Sequence, residues 1–192
     1  MRVFDFDGTI YDGESLFDLY LYSARHDPKV FRYIAPVLRY AVKYKLGRAT
    51  LEQMEYGVGK MTEGYLTELS RSKRVASVEQ LVDDFWDRYY ARIKPWYQPE
   101  SDDVILTASF GLTVGKACRR LGVRNLVASE DVETMRVTYL NFNTNKARRF
   151  RELYGPDAVV DEFYTDSKFD QPMIDMARHA FMVKGDTITQ VK

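Results

Sequence analysis

Cysteine is nearly absent from this sequence. Cys118 stands alone, so no intrachain disulfide can form and no thiolate pair is offered to a zinc ion. Histidine is almost as scarce, and His26 and His179 have no partner at ligand spacing. A surplus of one charge is also missing: 28 Lys and Arg cancel 28 Asp and Glu. That balance excludes a chain built around the positive field that nucleic acid requires, so no nucleic-acid partner is expected. Long apolar runs are lacking as well. The longest uncharged stretch, residues 104–115, holds two Gly and two Thr and falls short of the roughly 18 residues of a transmembrane segment. Asp5 and Asp7 interrupt the first apolar run, which is the wrong composition for a secretory signal. The expectation is a soluble, cytoplasmic protein of a reducing compartment.

What is present is enough apolar material for a core. Of the 192 residues, 45% are hydrophobic and 14% aromatic, which excludes disorder. Residues 1–6 read as a short buried strand feeding a tight turn. From 14 to 96 the pattern is helical, with Leu16, Phe17, Leu19, Tyr20 and Tyr22 at helical spacing and further helices over 51–61 and 78–93. Pro28 and Pro36 punctuate the stretch between, and Pro36 is expected to kink or break any long helix there. The segment 95–99 (PWYQP) reads as a hinge-like break.

Beyond it strands and helices alternate. Strands are expected at 104–106, 125–128, 159–164 and 181–183, helices at 112–121, 145–154 and 171–179, and a β-ribbon over 134–142. This pattern implies an α/β domain with a parallel sheet and helices on both faces. Residues 1–13 and 97–192 would form that domain, and residues 14–96 an all-helical insert after its first strand.

Asp5-Phe6-Asp7-Gly8-Thr9 carries the most chemical information. It follows a strand, and in open α/β sheets ligands bind in the crevice at the strands' carboxyl ends. Gly8 permits a sharp turn whose N–H groups, with Thr9, can hold an anion. Two carboxylates so close resist joint ionisation unless a cation shares them, which implies Mg²⁺. A plain surface Asp-Gly turn is the simpler alternative. A D-x-D-G-[ST] string, however, arises by chance in on the order of one chain in a few hundred.

The motif resembles that of the haloacid dehalogenase superfamily, D-x-D-G-T at the end of the first strand. Three further motifs of that family find matches in order. Val104-Ile105-Leu106-Thr107 is an apolar strand ending in Thr, Lys146 lies at a helix start, and Asp166 and Asp170 are carboxylates four apart after a strand. The resemblance implies a Rossmann-like sheet and a phosphoric monoester hydrolase acting on a small phosphorylated metabolite. It makes Asp5 the nucleophile and Asp7 the acid and base. Thr107 and Lys146 would hold the phosphoryl group, with Gly8 and Thr9 beside them. Mg²⁺ would rest on Asp5, Asp7 and Asp166, with Asp170 either at the metal or steering Lys146. Asp7 favours phosphate esters over carbon–halogen bonds, because a halide leaves without a proton.

The helical insert resembles the cap of the phosphoserine-phosphatase-like branch. Glu14 matches a Glu near the substrate amine there, whereas Val58 stands where a carboxylate-binding Arg is expected and Ala108-Ser109 replaces Gly-Gly. Phosphoserine itself is therefore not the expected substrate. Ser109 is an alternative phosphate donor to Thr107. The Thr107-Ala108-Ser109 string looks more like the branch of phosphatidylglycerophosphatase C-like proteins, so a lipid phosphate is one alternative substrate, and phosphotransferase or mutase chemistry is another. Residues 29–48 carry Lys29, Arg32, Arg39, Lys43, Lys45 and Arg48 and no acid. Arg32, Arg39 and Lys43 share one helical face, with Val30, Ile34, Val37, Leu38, Ala41 and Tyr44 broadly opposite. Such a face allows weak contact with anionic lipid. The favoured reading is a helix that packs its apolar side inward and wets the other.

Overall fold

Alternation of side chains along extended backbone sorts the central strands onto two apolar layers. In β1 (Arg2–Phe4) Val3 joins one buried cluster and Phe4 the other. In β2 (Val104–Phe110) Val104 and Leu106 join Val3, while Ile105 joins Phe4. Helix α5 (Gly111–Leu121) covers the Phe4 face with Val114, Ala117 and Cys118. Helices α6 (Thr144–Tyr154) and α7 (Gln171–Met176) cover the other with Ala147, Phe150, Met173 and Ile174. Each buried Val, Leu, Ile, Phe or Met among them contributes about 1.5–3 kcal/mol. The computed structural model describes residues 1–131 and 137–192.

The sheet is completed by β3 (Asn125–Asp131), β4 (Val137–Tyr139), β5 (Val160–Thr165), β6 (Ala177–Lys184) and β7 (Thr187–Gln190). Its order is β4-β3-β2-β1-β5-β6-β7. β3, β2, β1, β5 and β6 run parallel, which places β1 at the point where the winding reverses direction. The α/β, Rossmann-like class is thus observed, with one refinement: both edges are antiparallel. A two-residue connection, with Gly185 at φ +59°, joins β6 to β7. Such a turn can make only a hairpin. All four residues of β7 are exposed, so no alternating apolar pattern betrayed it.

Other boundaries shift for similar reasons. The helix expected over 171–179 stops at Met176, because Ala177 and His179 pair with Val160 and Glu162 of β5. Of the ribbon expected over 134–142, residues 134–136 lie outside the described residues, and Val137–Tyr139 is a strand antiparallel to β3.

Between β1 and β2 run α1 (Ser15–His26), α2 (Phe31–Lys45), α3 (Leu51–Ser70) and α4 (Val78–Tyr89). Pro36 does not break α2, which continues through it. Packing against α3 outweighs the roughly 3 kcal/mol that an internal proline costs. Tyr33 and Tyr40 of α2 lie so close to α3 that a Cβ on Gly64 or Gly57 would come within 2.5 Å of their rings. Tyr20, Ala24, Tyr65, Leu66, Leu69 and Leu81 form the helices' own core. α4 also belongs to the sheet's cluster through Val82, Phe85 and Trp86, and the Trp86 indole N–H donates to the Thr113 carbonyl at 2.8 Å. Among the described residues no helix is long and apolar enough to cross a membrane.

The segment 95–99, expected as a hinge, is pinned. The Tyr97 ring lies 4.9 Å from Phe4, and the preceding backbone bonds to the turn after β1, with Asp12 N–H to Arg92 and Lys94 N–H to Ile10, both at 2.8 Å.

Candidate active site

The carboxyl ends of β1, β2 and β5 and the start of α6 surround one cleft of about 490 Å³. β1 delivers Asp5 to its floor, with the Asp5 N–H still bonded to Tyr164 of β5 at 2.9 Å. The chain then turns at Gly8, whose φ is +69°. A Cβ there would collide with the Asp166 carboxylate, so the position needs glycine for both conformation and space.

Lys146, in the first turn of α6, is 2% exposed and points at the floor. Its Nζ donates to Asp5 Oδ1 at 2.9 Å and to Asp170 Oδ2 at 2.8 Å. The Thr165 hydroxyl donates to the same Asp170 oxygen at 2.7 Å. Burial alone would lower the Lys146 pKa, but Asp170 and Asp5 together raise it, so the ammonium stays charged. Asp5 is nevertheless raised to about 8. Desolvation, with repulsion from Asp170 and Asp7, outweighs the one ammonium that it shares.

Asp7 is held at both oxygens. Oδ1 accepts from the Ser15 N–H at 2.6 Å, so this carboxylate caps the N-terminus of α1, and Oδ2 accepts from the Ser109 hydroxyl. Burial still raises its pKa above the usual carboxylate range, against the pull of Ser109 and Ser15. Thr107 is buried near the carboxyl end of β2, and its Oγ1 accepts from the Ser109 N–H at 3.0 Å. Behind it, Asn141 Nδ2 donates to the Thr107 and Val127 carbonyls at 3.0 Å each and ties the β2 and β3 ends together.

Asp166 follows β5 and faces the cleft, its pKa raised by desolvation and by Asp170. Glu14 stands at the mouth, where desolvation first, then Asp7 and Asp166, push it up to about 7. The rest of the wall is largely apolar and aromatic, with Lys45 and Ser167 beside it: Leu16, Met54, Val58 and Leu140, with Tyr44, Phe142 and Phe169 in mutual contact at 5.4–5.9 Å between ring centroids.

Seven of the residues singled out in the sequence therefore line one cleft: Asp5, Asp7, Glu14, Thr107, Lys146, Asp166 and Asp170. Gly8 and Thr9 do not line it. The Gly8 N–H closes on the Gly13 carbonyl at 2.9 Å, and the fully buried Thr9 hydroxyl has no hydrogen-bond partner among the described residues. Asp161 and Glu162 point elsewhere, Asp161 to Arg178 and Glu162 to the Tyr164 hydroxyl, each at 2.8 Å. Glu100, Asp102 and Asp103 cluster at the opposite, amino end of β2, where Arg2 and Tyr97 occupy the Asp103 carboxylate.

Sequence reasoning missed four supporting groups: Ser15, Asn141, Thr165 and Lys94. Lys94 is 4% exposed and donates to the Gly8 carbonyl at 2.5 Å and to Gly185 at 2.9 Å. Only a lysine between Ile93 and the Pro95-Trp96-Tyr97 run could have hinted at it.

Comparison with known proteins gives the same frame. The structure is similar to a protein of unknown function from Bordetella pertussis Tohama I, at 18% identity and a TM-score of 0.58, covering 94% of this chain and 87% of that one. It is also similar to a HAD family hydrolase from Salmonella enterica serovar Typhi, at 13% identity and a TM-score of 0.58, covering 92% of this chain but 59% of that one. A phosphoserine phosphohydrolase-like protein from Francisella tularensis shares 15% identity with a TM-score of 0.52, over 94% of this chain and 86% of that one. At such identities the likeness is one of fold. No curated protein matches the chain. The model of the haloacid dehalogenase-like hydrolases matches residues 3–175, nearly the whole sequence, and the chain belongs to that family.

Proposed function

We propose that the protein hydrolyses a phosphate monoester of a small molecule through a phosphoaspartyl intermediate on Asp5. The observation that carries this reading is the Asp5–Lys146–Asp170 chain on the floor of the cleft, with Asp7 held separately beside it. Lys146 engages one Asp5 oxygen and leaves the other for attack on phosphorus. As the phosphorus–oxygen bond to the alcohol breaks, Asp7 gives its proton to the departing oxygen. Its raised pKa supports its holding that proton. Water then attacks the phosphoaspartate, Asp7 takes the proton, and phosphate leaves with Asp5 restored. Thr107 and Lys146, both lining the cleft, would meet the phosphoryl oxygens. Asp170, bonded to Lys146 and Thr165, would position the ammonium.

The donor set suits Mg²⁺. Four aspartates converge on the cleft with one buried ammonium among them; desolvation raises three of them, and mutual repulsion adds to it at Asp5 and Asp166. Asp5, Asp166 and the main-chain carbonyl of Asp7 would hold the ion, and when bound it would offset charge on the phosphoryl oxygens.

On the alcohol side the wall is largely apolar and aromatic, with Val58, Met54 and Tyr44, and the Lys45 ammonium lines it as well. That supports an alcohol with an apolar or aromatic body. α2 and α3 would serve as the cap that shields the site.

The test is phosphate release from a panel of phosphate esters, with Mg²⁺ and with EDTA, for wild type and Asp5→Asn. Metal-dependent release abolished in Asp5→Asn supports the reading. Substrate loss without inorganic phosphate would indicate transfer to another alcohol. No turnover of any ester by folded, Mg²⁺-bound protein would refute it.

A further inference from the structure

α2 stands apart from the other long helices because none of its fifteen residues is buried. Its inner face, including Ile34, Val37, Tyr40 and Tyr44, rests against neighbours and stays only half-buried. The outer face is what an amphipathic surface helix should not show. Phe31 is 53% exposed, Leu38 47%, Val42 52% and Leu46, just past the last turn, 60%. With exposed Ala35 they recur at intervals of four, three, four and four, a single stripe along the helix. The inward packing expected for Leu38 is therefore not found, and two apolar faces share one helix.

The stripe lies between basic side chains. Arg32, Arg39 and Lys43 run along one flank, Lys45 lies on the other, and Arg48 follows the C-terminal end. Lys29 precedes the helix, and the whole span from 28 to 50 contains no acid, in a chain whose charges sum to zero. An exposed apolar stripe flanked by cations matches the boundary between acyl chains and anionic headgroups. Nucleic acid would satisfy the charges but offers no apolar host for Phe31, Leu38 and Val42. A second copy would cover the stripe but would bring two like-charged faces together.

We infer that α2 docks the protein on the surface of an anionic phospholipid bilayer. The Phe31, Leu38, Val42 and Leu46 stripe enters the interface, and Arg39, Lys43 and Arg48 meet the headgroups. Ala41, Tyr44 and Lys45 of the same helix line the catalytic cleft, so docking sets the cleft beside the membrane. The inference does not depend on the phosphatase reading, because binding is measured without turnover.

The experiment is co-sedimentation of the full chain with vesicles of phosphatidylcholine alone or mixed with phosphatidylglycerol. The anionic vesicles should bind roughly tenfold or more protein than neutral ones, and high salt should weaken that binding. Leu38→Gln/Val42→Gln/Leu46→Gln should partition about tenfold less with an unchanged thermal melt, since all three residues are exposed. Arg39→Gln/Arg48→Gln should lose the anionic preference. If wild type fails to sediment with anionic vesicles, or the triple variant sediments as well as wild type, the inference is overturned. A wild-type dimer in equilibrium sedimentation that the triple variant dissolves would overturn it too, and would assign the stripe to a second copy.

Discussion

The Ser109 hydroxyl donates to the Asp7 carboxylate across 102 positions of chain. Ser109 lies two residues beyond Thr107 on β2, so one strand end serves both the acid and the phosphoryl group. A hydrogen bond to a charged group contributes about 1.5–3 kcal/mol. Ser109→Ala should therefore lower kcat by roughly ten- to a hundredfold, with KM changed by less than about threefold. The bond favours the ionised form of Asp7, so its loss should raise the acid's pKa and move the kcat–pH profile to higher pH. Steady-state kinetics across pH would check this, and an unmoved profile with wild-type kcat would refute the positioning role.

Among the described residues the ammonium of Lys146 is the one buried positive charge on the cleft floor, shared by Asp5 and Asp170. Lys146→Met should destabilise the metal-free protein by about 3–5 kcal/mol, because the buried Asp170 carboxylate, and Asp5 beside it, lose their shared donor. Adding Asp170→Asn should recover part of that loss without restoring turnover. Urea unfolding of the single and double variants would show the coupling, and additive effects would count against a shared ammonium.

Why some of this was legible in the sequence, and some not, follows from range. Asp5, Asp7, Lys146, Asp166 and Asp170 each sit at a strand end or a helix start, and such ends in an α/β sheet gather at one edge. Their meeting could be expected from local pattern alone. Ser15, Asn141 and Thr165 act through partners fixed only by the fold, and serine or threonine in a loop or strand carries no mark of that. Pro36 was misread because local propensity was weighed without the α3 surface that holds α2 straight. The exposed stripe escaped for a related reason. A helical wheel gives the relative direction of Leu38 and Val42, but which arc faces α3 is decided by where Gly57 and Gly64 admit Tyr40 and Tyr33.

Metal-free protein should lose stability as pH rises. Asp5 moves from 3.8 to about 8 on folding, through desolvation, and Glu14 from 4.5 to about 7. Both folded values lie above the unfolded ones, so the folded state binds more protons between them and stability falls with pH across that window. Thermal melts in EDTA should therefore decline from about pH 4 to about pH 8. Mg²⁺ competes with those protons, so its stabilising effect should grow over the same range. A metal-free melt that rises toward about pH 8 would contradict the assignment of a desolvated, proton-retaining Asp5.

Lys94 supports the site from outside the cleft. Its buried Nζ joins the Gly8 carbonyl, within the turn that carries Asp7, to Gly185 in the β6–β7 hairpin. The backbone of the same segment bonds to Ile10 and Asp12, so residues 92–94 strap the turn against the sheet. Lys94→Met keeps most of the side-chain volume and removes the donor, leaving two carbonyls short of a partner at about 1–3 kcal/mol each. The melt should fall accordingly. Turnover should fall further than stability explains, because a loosened Gly8 lets Asp7 drift from Ser15 and Ser109. Kinetics well below the melting temperature separate the two effects. A drop in kcat at fixed KM there marks Lys94 as a positioning residue, whereas wild-type kcat with a lowered melt would confine it to stability.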